Sequence, residues 1–135
     1  MITPKQHKVR LKAAPKLGNL YWCEFPDPEH VHLPEMWKTR PVLIVSRKNR
    51  LVGKVTVLPL STGIKNADNK NSFQLSRETC EQLTGEVTWV LCDHIVTVST
   101  SRLSQVHGQV PSVRGQELAD ILDLMHSALG SAQRF

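Results

Sequence analysis

Short apolar stretches, each ended by proline, glycine or a polar cluster before reaching the ~10–12 residues of a helix, leave this chain little choice but a compact β structure. Leu20-Tyr21-Trp22-Cys23-Glu24-Phe25 is stopped by Pro26-Asp27-Pro28 and reads as a first strand. Pro41-Val42-Leu43-Ile44-Val45-Ser46 is continuous and β-branched, the pattern of a strand buried on both faces. Lys54-Val55-Thr56-Val57-Leu58-Pro59-Leu60 alternates and breaks at Ser61-Thr62-Gly63, and Ser72-Phe73-Gln74-Leu75 reads as a further short strand. Glu86-Val87-Thr88-Trp89-Val90-Leu91-Cys92 carries the strongest strand signal, with Ile95-Val96-Thr97-Val98 extending it or pairing with it. Ser76 to Leu83 suits a helical turn ending at Gly85. After Pro111 the period changes: Leu118, Ile121, Leu122, Met125 and Leu129 recur at helical spacing, with Ser112 as the expected N-cap. That stripe is expected to pack on the sheet, so the pattern predicts a small, mainly β, α+β barrel with a C-terminal helix.

Charge divides the chain. The net +5 lies wholly in residues 1–16, where Lys5, Lys8, Arg10, Lys12 and Lys16 face no acid. The rest balances twelve basic against twelve acidic side chains. The domain is therefore expected over 17–130, behind a basic, flexible tail at 1–16 and before a short tail at 131–135. A basic tail gathers polyanions by counterion release. No apolar run nears the roughly 18–20 residues of a membrane span, and no apolar stretch follows the basic N-terminus as in a secretory signal. A cytoplasmic protein with no membrane association is expected. Cys23, Cys80 and Cys92 are odd in number, widely spaced and never in a C-x-x-C pair, which argues against disulfides and structural zinc. Cys23 and Cys92 sit in apolar runs and are expected to be inert buried thiols.

The nucleotide-binding, zinc-protease and serine-hydrolase signatures are absent. His30 and His32, with Glu29 and Glu35 nearby, lie in a long loop over 26–39 and make no convincing metal set, so no metal is expected. Polar residues do stand at strand ends: Arg40 opens one strand, Ser61 and Thr62 end another, and Asp93 and His94 follow a third. If these ends converge, a fixed cation, hydroxyls, a carboxylate and an imidazole suit attack of an RNA 2′-hydroxyl on the adjacent phosphate. Asp93 or His94 would take the proton, Arg40 would hold the phosphate oxygens, and Ser61 or Thr62 would donate a hydrogen bond. The plainer roles are a surface cation, a Ser-Thr-Gly turn, a capping Asp and a packing His.

Gly18-x-x-x-Trp22-x-x-Phe25, Lys38-x-Arg40-Pro41 with its apolar run, Val57-x-Pro59-Leu60-Ser61-Thr62-Gly63, Cys92-Asp93-His94 and Ser101-Arg102-Leu103 follow one another in order. Together they resemble the successive blocks of the PemK/MazF toxins over residues 17–129. The resemblance implies an SH3-like barrel that dimerises and cleaves single-stranded RNA without a metal or other cofactor, a metal-independent endoribonuclease of the mRNA interferase kind. It also implies an acidic antitoxin whose C-terminal segment covers the RNA groove. On that resemblance Arg40 is the catalytic arginine, Ser61 stands where the family often has a functional Thr, Thr62 stands beside it, and Asp93 matches an acid some members use as base. The loop carrying His30, His32 and Glu35 matches one that closes on RNA, with Trp37, Lys38 and Arg102 as further RNA contacts. Leu91 stands where one branch has an arginine, and His94 replaces a Gln. His94 or a loop histidine is then expected to protonate the leaving 5′-oxygen. Two alternatives are a non-catalytic barrel that binds nucleic acid or protein, and a topoisomerase poison of the CcdB type. The Arg-Pro and Ser-Thr blocks, and an ending in Ala132-Gln133-Arg134-Phe135, favour cleavage over trapping.

Overall fold

A computed structural model describes residues 2–130; the short tail 131–135 lies outside the described residues. Among the described residues seven strands and two α-helices follow one another as β1 (Leu20–Glu24), β2 (Thr39–Ile44), β3 (Lys54–Ser61), β4 (Ser72–Gln74), α1 (Arg77–Leu83), β5 (Trp89–Leu91), β6 (Val96–Ser99), β7 (Leu103–Ser104) and α2 (Gly115–Ala128). All pairings are antiparallel, in the order β4-β5-β3-β2-β1-β7, with β6 also on β3. The path is open, from β4 at one end to β7 at the other. The mainly β, α+β fold expected above is present as an open antiparallel sheet with two helices; these pairings do not close it into the expected SH3-like barrel. Strand β3 is the hub, pairing with β6 from Lys54 to Val57, with β2 from Val57 to Pro59 and with β5 at Leu60 and Ser61.

Strand β2 is buried on both faces because both faces of the sheet are covered. Leu20, Leu43, Leu58 and Leu60 pack with Cys80, Leu83, Ile121 and Met125 of the two helices. Tyr21, Cys23, Val42, Ile44, Val55 and Val57 turn to the other side, where Leu103 and Leu11 cover them. Alternate residues of β1 to β3 thus feed two separate cores, as a period of two requires. Residues 9–11, grouped with the basic tail on sequence, lie against the body: Leu11 is buried, and Arg10 pairs with Glu24 at 3.0 Å.

Elsewhere the hydrogen bonding redraws the expected boundaries. Only Trp89–Leu91 of the 86–92 run is strand, because residues 84–88 are turned. Glu86 N donates to Thr84 Oγ1 (3.2 Å), and buried Thr88 returns its hydroxyl to the Glu86 carbonyl (2.9 Å). The 95–98 run pairs with β3 rather than β5. Ser112 does not cap α2: the helix starts at Gly115, with Arg114 at the cap position and no side-chain cap. Ser112 instead bridges to Asn19 and accepts from Arg114 Nε at 3.0 Å. Leu129, expected in the apolar stripe, follows the last helical turn and is exposed. Helix α1 is capped by Ser76, whose Oγ accepts from Thr79 N, and Glu117 of α2 accepts from Ser76 N at 2.6 Å, tying the helices together.

Candidate active site

The β2–β3 register ends at Val42 against Pro59, and just beyond it Arg40 of β2 and Ser61 of β3 wall the same hollow. Ser61 pairs in turn with Trp89 at the start of β5. A hollow of about 170 Å³ opens there, walled by Lys38, Arg40, Ser61, Thr62, Glu86 and Thr88.

Arg40 is half-buried and held from behind. Its Nε donates to the Trp37 carbonyl at 3.0 Å, and its guanidinium lies 6.0 Å from the Trp37 ring centre. Lys38 Nζ lies over the same ring at 5.4 Å, so one indole organises two cations. No hydrogen bond among the described residues uses the two terminal nitrogens of Arg40. Burial lowers the pKa of the guanidinium, which stays a cation.

Ser61 is oriented just as closely. Its Oγ accepts from Asn66 Nδ2 at 3.0 Å and from Gly63 N at 3.2 Å. With both lone pairs engaged, its own O–H is left as a donor. Asn66 is fixed in the 3₁₀ turn Ile64–Asp68 by donating to the Gly63 carbonyl at 2.8 Å. Asn66 is a positioning residue that the sequence reading did not single out; the Ser-x-Gly-x-x-Asn spacing is the signal that could have found it. Thr62 stands exposed at the rim.

Glu86 supplies the carboxylate of this hollow, and the turn at 84–88 delivers it. Sequence reasoning placed Glu86 inside a strand and so missed it. Asp93 and His94 do not line the hollow: they follow β5 at its far end, in a turn closed by His94 N donating to the Leu91 carbonyl at 3.1 Å. There the His94 Nε2 and an Asp93 oxygen lie 3.6 Å apart. His30 ends the 3₁₀ turn Pro28–His30, exposed. His32 N donates to Glu35 Oε1 at 2.7 Å and Glu35 N returns to the His32 carbonyl at 2.9 Å, so Glu35 closes a local turn. None of the three walls the hollow. Arg102 lies across β1, where Nη1 donates to the Glu24 carbonyl at 2.8 Å.

No group of three His, Cys, Asp or Glu side chains among the described residues could hold a metal ion. All three cysteines are buried free thiols, and burial pushes Cys23 and Cys92 up to about 12, which removes them as nucleophiles near neutral pH. No described helix is long and apolar enough to cross a membrane.

Solved structures place this arrangement among the MazF-like folds. MazF from Deinococcus radiodurans superposes with a TM-score of 0.66 at 21% identity, covering 87% of this chain and 97% of that one. A mycobacterial endoribonuclease in complex with its cognate antitoxin gives 0.60 at 22% identity, covering 90% and 98%. The Mycobacterium tuberculosis toxin MazF-mt6 gives 0.57 at 18%, covering 81% and 94%. At these identities the likeness is one of fold. No curated protein matches the sequence. The model of the PemK-like, MazF-like toxins of type II toxin–antitoxin systems matches residues 16–126, and the chain belongs to this family.

Proposed function

We propose that this toxin is an endoribonuclease that cleaves single-stranded RNA at the Arg40 hollow, and that an acidic antitoxin neutralises it. The observation that carries the reading is a positioned cation and a positioned donor lining one open hollow: Arg40 on β2 and Ser61 on β3. A phosphodiester seated there receives the Arg40 nitrogens and the Ser61 hydroxyl on its non-bridging oxygens. Glu86 takes the proton of the 2′-hydroxyl, replacing Asp93 in that role because it is the carboxylate at the hollow. The 2′-oxygen bonds to phosphorus, the bond to the 5′-oxygen breaks, and water at the exposed rim protonates the leaving oxygen while the proton on Glu86 returns to the hydroxide so formed. The products are a 2′,3′-cyclic phosphate and a 5′-hydroxyl. No step of this route calls on a metal. The fold likeness to a mycobacterial endoribonuclease bound to its antitoxin supports both the activity and the partner. A homodimer is part of the same proposal, resting on the family resemblance.

Purified full-length protein incubated with total RNA tests the reading. Discrete fragments ending in cyclic phosphate are expected, and Arg40→Ala should slow their formation by about 10²–10³-fold, the cost of removing one charge-stabilising donor. Intact RNA with the wild-type protein, or undiminished cleavage by a folded Arg40→Ala variant, would refute it.

A further inference from the structure

The excess positive charge of this chain is not spread around the hollow. Two larger grooves lie side by side elsewhere. One, about 730 Å³, runs between the N-terminal arm and the end of β6, with Lys5, Lys8, Arg10 and Arg102 on its walls. The other, about 680 Å³, lies under the β2–β3 hairpin, with Arg47, Lys48, Arg50 and Lys54. Val52 and Gly53 border both, so the two form one continuous surface. The body from residue 17 onward is neutral overall, yet five of its twelve basic residues face these grooves (Arg47, Lys48, Arg50, Lys54 and Arg102). Of its twelve acids only Glu24 does, and Arg10 already pairs with it at 3.0 Å. Among the described residues neither wall carries Phe, Tyr or Trp, and the one ring on them is the His7 imidazole. The surface begins one strand from the hollow: Glu24, whose carbonyl Arg102 binds, is the β1 partner of Thr39 beside Arg40.

We infer that this cationic surface is a second, sequence-indifferent RNA-binding track that holds the phosphate backbone of the strand flanking the hollow. Eight cations with a single imidazole among them neutralise phosphates and offer almost no stacking platform, so the track adds affinity and leaves selectivity to the hollow, where Trp22 lies. The arm that forms one wall precedes the family match at residue 16, so this wall is an addition outside the matched region. The choice of RNA as the polyanion rests on the nuclease reading; the track itself does not.

The test uses the full chain and a 2′-O-methyl oligouridylate of about 20 nucleotides, long enough to cover a single-strand site and unable to undergo 2′-hydroxyl attack. Its affinity is followed by fluorescence anisotropy from about 50 to 300 mM salt for wild type and for the variant Lys5→Gln, Lys8→Gln, Lys48→Gln, Arg50→Gln. These four side chains are exposed and outside the hollow, and thermal melting checks that the variant folds. Losing four phosphate contacts should lower the slope of log affinity against log salt by about three and weaken low-salt binding at least about tenfold. Cleavage of a pool of short RNAs that only fill the hollow should not change. An unaltered slope in the folded variant overturns the inference. So does an unaltered slope accompanied by lost capture of a polyglutamate peptide, which would make the surface a protein dock. A lowered slope with no RNA cleavage by wild type supports the track and refutes the nuclease reading instead.

Discussion

Arg40 and Ser61 owe their usefulness to neighbours that stand behind them. Trp37 gives Arg40 a carbonyl and a ring face, and Asn66 occupies a lone pair of Ser61. Asn66→Ala releases that lone pair and lets the hydroxyl turn. Single-turnover cleavage should slow by about tenfold, the worth of one oriented hydrogen bond, with RNA affinity little changed. The proton acceptor is decided by a direct contrast in the same assay. Glu86→Gln should cost about 10²–10⁴-fold, as loss of a general base does, while Asp93→Asn and His94→Ala should each stay within about threefold. A large loss in Asp93→Asn with normal rates in Glu86→Gln would return the base to Asp93. Arg40, Ser61 and Thr62 could be picked out from sequence because each adjoins a run whose apolar pattern shows where the strand ends. Glu86 could not, since a turn held by Thr84 and Thr88 hydroxyls looks like alternation in a string of letters.

Gly18 shows how much a single junction holds between elements. Its φ is +90°, its N–H donates to the Ile44 carbonyl at 2.9 Å, and its carbonyl accepts from Val113 N at 2.8 Å. A Cβ there would lie 2.5 Å from the Val113 carbonyl oxygen. Gly18→Ala should therefore destabilise by about 2 kcal/mol or more, read as a lower urea midpoint at unchanged slope. The same junction explains why α2 starts late: with Val113 bound back to Gly18, Ser112 is committed to the sheet and cannot cap. Elements whose pattern is set by burial, such as β2 and α2, were readable in type and nearly in extent. Those set by long-range partners were not. Val96–Ser99 has the same composition whether it pairs with β5 or with β3, and only the path of the sheet chooses β3.

Taken whole, the molecule is a sheet covered by helices on one side and by its own N-terminal arm on part of the other. Leu11 packs beside Tyr21, Cys23 and Leu103, whereas residues 2–8 are exposed. Leu11→Ala should cost about 2–3 kcal/mol by calorimetry, the usual loss for a buried leucine, and removing residues 2–8 should leave stability within about 0.5 kcal/mol. The arm then has two jobs divided at residue 9: one part clamps, the other is free to meet a ligand. Strand β3 joins two distant places in the same way. It begins at Lys54, in the basic hairpin groove, and ends at Ser61, in the hollow. Its contour of about 23 Å makes it a fixed ruler. An RNA too short to span that length can be cut without ever being gripped at both ends, so long transcripts hold an advantage over short fragments that owes nothing to their base sequence.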